Sequence, residues 1–224
     1  MRICFVLFTA SGGTLQTIAL RPPVIYGEGD VHHIPKVLRV TKYCLGYLPN
    51  YGSKDTKYQK VKRIGSHTTT QRVKKFSATF LQIYVGNIAW AHIQALRALQ
   101  TKPEVGSRFF YITDDSPLDH MIQFVQPFTR ARGYRQMPVV CPFFIVFFVA
   151  YILELIAHLL APLFKFDFGV SISGLKYSEG QYYVNSRAAT KMWGYQPLFT
   201  HEEAMQRSLN YYKNFKVRLF NVRF

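Results

Sequence analysis

The sequence predicts an α/β fold, and three observations carry that prediction. Residues 14–20 mix β-branched and apolar side chains, as a buried strand does, and stop at Arg21-Pro22-Pro23, because proline has no N–H for a sheet ladder. Residues 88–99 place apolar side chains at helical spacing, with Ile88, Ala91, Ala95 and Leu99 among them, and residues 109–112 read as another strand. Strand and helix alternate again toward the C-terminus, as in α/β domains. A chain of 224 residues is long enough to bury a full core.

The elements follow in order. Residues 1–10 combine one Arg with a short apolar run, which hints at a signal peptide. The run is shorter than an ordinary signal core and a strand follows at once, so a truncated start is the preferred reading. Gly27-Glu28-Gly29-Asp30 turns the chain after the 14–20 strand. A strand ending in a rigid loop and a glycine turn can form the carboxyl-end rim of a sheet, where ligands bind in α/β proteins. Pattern by itself favours the plainer reading, a core strand and its exit loop.

Residues 35–45 suit a short amphipathic helix that starts at Pro35 and ends at Gly46. Residues 50–62 have no periodicity. For the 88–99 helix, Asn87 is placed as N-cap. Asp114-Asp115-Ser116-Pro117 reads as a turn into a further helix. Tyr182-Tyr183-Val184 reads as a strand, residues 185–195 as a short capped helix closed by Gly194, and residues 201–212 as a last helix.

Charge is unevenly distributed. The formal net charge is +16, and residues 36–75 carry eleven Lys and Arg against Asp55 alone. Such an imbalance raises nucleic acid or an anionic membrane as partners. Tyr and Lys interleave there, but no nucleic-acid module is recognisable, so a solvated loop is the preferred reading and no nucleic-acid partner is expected. Cys4, Cys44 and Cys141 are far apart and lack metal-ligand spacing, so they read as reduced thiols, with no disulfide framework and no metal site.

Residues 137–153 contain no charge, and the apolar run continues to Phe164, broken by Glu154 and His158 one turn apart. Pro142 can start a helix and Pro162 can stop it. The roughly 20 residues between them would extend about 30 Å, enough to cross a bilayer. A spanning helix, a helix lying in the membrane surface and the wall of a lipid-substrate pocket all fit. Membrane association is favoured over a soluble core, and spanning and lying flat stay open. Lys165 could anchor the run at headgroup level.

Specific segments add a resemblance. Residues 20–30 (LRPPVIYGEGD) resemble the LRPxxIYGxGD segment of extended short-chain dehydrogenases, and residues 13–17 (GTLQT) narrow the likeness to the 3β-hydroxysteroid dehydrogenase/isomerase family. Residues 84–93 (YVGNIAWAHI) and 109–117 (FFYITDDSP) resemble two further segments of that family, in the right order. Residues 182–195 are similar to a fourth, so the likeness covers most of 12–49 and 84–212.

The resemblance implies the C-terminal part of an extended short-chain dehydrogenase, an NAD(P)-binding Rossmann-like fold with a membrane-associated helix. Residues 1–118 would be a partial Rossmann-like domain interrupted by basic insertions at about 50–62 and 72–83. Residues 119–224 would be a substrate-side region, with the apolar membrane helix at about 138–164 and C-terminal helices. Residues 73–82 also read as a translated intron. The implied activity is oxidation of a sterol or steroid CH–OH with NAD or NADP as acceptor. The implied location is a membrane, that of the endoplasmic reticulum or a mitochondrion, with membrane lipid and a sterol as partners. Pro22, Pro23 and Val24 would line the nicotinamide end of the cofactor site, largely through backbone contacts, while Arg21 would support the loop. Gly86 stands where the family commonly has Asp, and Asn87 and His92 would be a cap and a packed helix residue.

That chemistry needs a Gly-rich turn for the pyrophosphate and a Tyr-x-x-x-Lys pair facing the cofactor. The sequence has no GxGxxG or GxxGxxG, and no Tyr-x-x-x-Lys ahead of Gly12. Tyr58 with Lys62 and Tyr212 with Lys216 match the spacing, but both follow the strand that the pair should precede, so neither is assigned a catalytic role. This chain is therefore expected to bind cofactor poorly and to turn over nothing. A non-catalytic membrane-bound sterol-binding or interaction protein is the alternative.

Overall fold

The computed structural model describes residues 4–9, 15–51, 80–117, 119–161, 169–180, 184 and 186–217. In chain order the elements are β1 (Cys4–Thr9), β2 (Leu15–Arg21), β3 (Val24–Tyr26), α1 (Ile34–Tyr43), β4 (Tyr47–Leu48), β5 (Gln82–Tyr84), α2 (Val85–Thr101), a 3-10 turn (Pro103–Val105) and β6 (Arg108–Tyr111). They continue as α3 (Met121–Arg130), β7 (Arg135–Gln136), α4 (Phe143–Leu160), α5 (Ile172–Glu179), α6 (Arg187–Trp193) and α7 (His201–Lys213). The chain divides into two compact units. One comprises Met1–Asp30, Leu81–Pro117 and Tyr183–Ser208, and the other Val31–Phe80, Leu118–Tyr182 and Leu209–Phe224. The units interleave along the sequence, and the chain returns to the first after residue 182, where α6 packs.

In the first unit β2 lies between β1 and β6, antiparallel to β1 and parallel to β6. A second parallel pair joins β3 to β5. Parallel strands are joined by helical crossovers and buried by them, and α2 serves here. Its buried face is Ile88, Ala91, Ala95, Ala98 and Leu99. The three alanines let the helix approach Ile18 and Leu20 of β2 and Phe110 of β6 closely, in one cluster with Trp193 and Tyr195. Phe110 and Trp193 meet edge to face at 5.9 Å, the arrangement aromatic rings prefer. Gly194, at φ 76°, ends α6 in the left-handed conformation that glycine adopts without cost.

The second unit packs α1 and α3 together, with Leu38 of α1 and Phe124, Val125 and Phe128 of α3 buried. Pro35 sits in the first turn of α1. Beyond its end Leu45 and Gly46 take φ of 54° and 85°, and Gly46 N–H donates to Thr41 O at 2.9 Å, which caps the helix. His120 caps α3 by accepting the Ile122 N–H at Nδ1.

Several expectations need correction. α2 begins at Val85, so Asn87 lies inside its first turn and is not its cap. Phe80, Leu81, Gln82 and Ile83 are buried, and the last two belong to β5, so the second interruption does not run to residue 83. The rest of that interruption and most of the first lie outside the described residues. Of the expected strand at residues 182–184, only Val184 is described, and it is not in a strand. The apolar helix is narrower than 138–164, at Phe143–Leu160, and Ala150 is its one buried residue. Among the described residues it is therefore not the wall of a buried pocket.

The core geometry gives a direct comparison. Phe110→Ala removes a side chain that is 2 % exposed and should lower unfolding free energy by about 3–5 kcal/mol. Phe109→Ala, which removes a half-exposed ring from the neighbouring position, should cost about 1 kcal/mol or less. Urea denaturation of both variants checks the contrast.

Candidate cofactor-side rim

β2 runs into Arg21-Pro22-Pro23 at the carboxyl end of the parallel strands, and β6 ends beside it, with the Ile112 N–H donating to Arg21 O at 3.3 Å. Pro22 is buried, and Pro23 and Val24 are half-buried. The Arg21 guanidinium carbon lies 4.1 Å above the Phe109 ring and 6.0 Å from that of Tyr111, so this side chain rests on β6. Val24 begins β3, and its N–H donates to Leu81 O at 3.3 Å. The backbone donor of Val24 is thus committed to the sheet. The prolines have no N–H, so what Pro22 and Pro23 can offer a ligand through the backbone is carbonyl oxygen.

The turn after β3 is braced by two tyrosines. The Tyr26 hydroxyl meets Ser116 Oγ at 3.2 Å in the interior. The Tyr84 hydroxyl donates to the Glu28 carboxylate, at 2.8 Å to Oε2 and 3.0 Å to Oε1. Gly27, at φ 129°, fits beneath Tyr84 and Val85, where a Cβ would approach Val85 Cγ1 to 2.6 Å. Burial, and then the bond to Glu28, push the Tyr84 phenol up to about 12. Burial also raises the Tyr26 phenol above the ordinary tyrosine range.

Asp114 joins these pieces. Its buried carboxylate accepts the Tyr84 N–H at 2.8 Å and the Asn87 Nδ2 amide at 3.0 Å through Oδ2, and the Ser116 N–H at 2.9 Å through Oδ1. Asn87 also spans to Phe199, donating to its carbonyl at 3.0 Å and accepting its N–H at 2.8 Å. Thr200 and Glu203 then cap α7 reciprocally. Hydrogen bonds to a charged acceptor contribute about 1.5–3 kcal/mol each, so among the described residues this carboxylate is held by backbone and amide donors. In the sequence, Asp114 has the pattern of a turn residue and Asn87 that of a cap. Their joint role was signalled only by the co-occurrence of the 84–93 and 109–117 segments. His92 is a packed helix residue, with Nδ1 2.7 Å from Ile88 O.

Gly86 is set by packing. A Cβ there would come within 2.6 Å of the Tyr84 ring and 2.8 Å of the Phe199 ring. Those rings meet edge to face at 5.4 Å, so a side chain at this position would have to displace them.

A mixed sheet in which the parallel pair β2–β6 ends in a proline-stiffened loop, followed by a glycine turn, has the Rossmann-like α/β architecture of extended short-chain dehydrogenases. Within that class the chain belongs to the 3-beta hydroxysteroid dehydrogenase/isomerase family, whose model matches residues 7–61 and 44–143. Among solved structures, a UDP-galactose 4-epimerase is similar at 10% identity over 87% of this chain and 44% of that one, with a TM-score of 0.48. A UDP-glucuronic acid 4-epimerase from Bacillus cereus, in complex with UDP-glucuronic acid and NAD, is similar at 12% identity, over 87% and 44% of the two chains, with a TM-score of 0.48. The chain thus spans less than half the length of these structures.

Two outcomes test the rim. Gly86→Asp should cost about 1–3 kcal/mol in unfolding free energy through overpacking, measurable by urea denaturation. The raised Tyr84 phenol favours folding while it keeps its proton. That contribution is complete below pH 10, the unfolded value, and is lost as pH rises to about 12. Stability should therefore fall across that window, and fall less steeply in Tyr84→Phe, when denaturation midpoints are compared between the two pH values.

Proposed function

We propose that this chain carries the nicotinamide-side and substrate-side portion of a dehydrogenase acting on the CH–OH group of a sterol or steroid, with NAD or NADP as hydride acceptor. The observation that supports this most is the rim loop. In a member of this family, Pro22 and Pro23 present rigid carbonyls at the carboxyl end of parallel β2, held by the Tyr84–Glu28 and Asp114–Asn87 braces. Bound NAD(P) would supply the acceptor for the hydride. Carbonyl oxygens suit the N–H donors of a nicotinamide carboxamide. Val24, whose N–H is already bonded, would contribute its side chain and not a donor.

A Gly-rich turn of the dinucleotide type, and a Tyr-x-x-x-Lys pair ahead of the rim strand, are not found in these 224 residues. The chain alone therefore turns over nothing and holds cofactor only weakly, at the nicotinamide end. Its exposed apolar helix α4 supports a membrane location, and we take the endoplasmic reticulum as that membrane. A sterol-binding protein without catalysis is the second reading, favoured by the same helix and by the missing catalytic pair.

Saturation-transfer NMR on the purified chain with NAD⁺ separates these readings. The nicotinamide protons should receive more saturation than the adenine protons, the difference should vanish in Pro22→Gly/Pro23→Gly, and no NADH should form with a 3β-hydroxysteroid. NADH formation would refute the inactivity. Sterol binding with no transfer to NAD⁺ would replace this reading by the second.

A further inference from the structure

We infer that α4 lies in the plane of one leaflet of an anionic membrane and does not cross it, an inference that rests on the membrane reading above. The helix is fixed to its own unit along one stripe. Phe143 packs on the Tyr51 ring at 6.4 Å and on Phe147 at 6.1 Å. Lys176 of α5 sits 5.7 Å over the Phe147 ring. Ala150 is 1 % exposed. Glu154 Oε1 accepts the Ile172 N–H at 2.8 Å, where the Ser171 hydroxyl accepts from Gly174 at 3.0 Å, so both side chains satisfy the first turn of α5.

These four positions, 143, 147, 150 and 154, share one face of α4 and cover about 16 Å of its length of about 27 Å. Away from that face the helix presents Phe144, Phe148, Tyr151, Leu155 and Leu159, all exposed. A helix free to span would have lipid all round it. Here spanning would draw the exposed Ser171, at the N-cap of α5, and Ser173 and Lys176 of α5 into hydrocarbon, where a lysine charge is costly. Lying flat immerses the outer face by about 5–10 Å and leaves α5 in water. Glu154, the one acidic side chain of α4, is already turned inward to a backbone donor and makes no demand on the lipid.

Charge selects the occupant. The segments that make up the second unit hold 20 of the 28 Lys and Arg and 5 of the 12 Asp and Glu, which is 15 of the 16 formal positive charges. The segments of the first unit are almost neutral. The exposed apolar helix thus belongs to the unit with nearly all the positive charge. That combination suits a leaflet with anionic headgroups, which attract clustered Lys and Arg. A second copy of the chain would bring the same positive charge and be repelled.

The test uses the full chain with single tryptophans at Phe144, Tyr151 and Leu159, apolar replacements at exposed positions, and the unsubstituted chain as fluorescence baseline. Vesicles of phosphatidylcholine with phosphatidylserine carry bromine at two acyl depths. Flat insertion predicts one common depth for the three tryptophans. It also predicts that binding weakens at least about tenfold from low to high salt, and is as weak on phosphatidylcholine alone. A tryptophan at 151 that lies about 11 Å deeper than those at 144 and 159 means a spanning helix and overturns the inference while keeping the membrane reading. No vesicle binding, or a dimer that shields all three tryptophans, overturns both.

Discussion

The first unit depends on one buried carboxylate. Asp114 sits between the end of β6 and the start of α2 and accepts three N–H groups from two chain segments. Asn87, which it orients, reaches a third segment at Phe199. A buried carboxylate is costly unless donors surround it, and here the donors are themselves the junctions between elements. The β5–α2 corner, the loop after β6 and the approach to α7 are tied to a single point. The rim residues are held at one remove, since Tyr84, which gives its N–H to Asp114, gives its hydroxyl to Glu28 in the turn that follows Pro22 and Pro23.

Such a network explains which parts of the fold could be read in advance. The 14–20 strand, the helices near 35–45 and 201–212 and the stop at Gly194 announced themselves through local period, prolines and glycines, and the structure holds them within a few residues. The start of α2 did not. Val85 and Gly86 have poor helix propensity, and Gly86 is present because the Tyr84 and Phe199 rings close over it. Asn87 resembled a cap because its true partners are 27 and 112 residues away. Phe80 to Ile83 follow a basic run, and their burial is decided by pairing with distant residues, Ile83 with Ile25 and Phe80 with Asp119. The commitment of the Val24 N–H to Leu81 likewise depends on a partner no local pattern reveals.

Composition identified α4 as apolar but could not assign its faces. Both stripes are rich in large side chains, so periodicity carries little information. The decisive residue is Glu154, which reads as a charge to be explained in a membrane helix and proves to be an acceptor for the first turn of α5. A polar atom in an apolar segment is informative mainly through the partner it finds, and that partner lies 18 residues on.

The pairing of β1 with β2 bears on how this sheet is assembled. Thr9 opposes Leu15 and Cys4 opposes Leu20, so the two strands close a hairpin through contacts 6 to 16 residues apart. The other edge of β2 meets β6 at Ile18 and Arg108, 90 residues apart. Chain entropy for loop closure grows by about 0.6 kcal/mol per doubling of length, so the parallel pairing costs about 2 kcal/mol more to initiate than the hairpin. Entropy therefore favours β1 as the first strand to meet β2. β6 then adds to an edge whose conformation is already fixed, and the backbone ordering of β2 is not charged a second time.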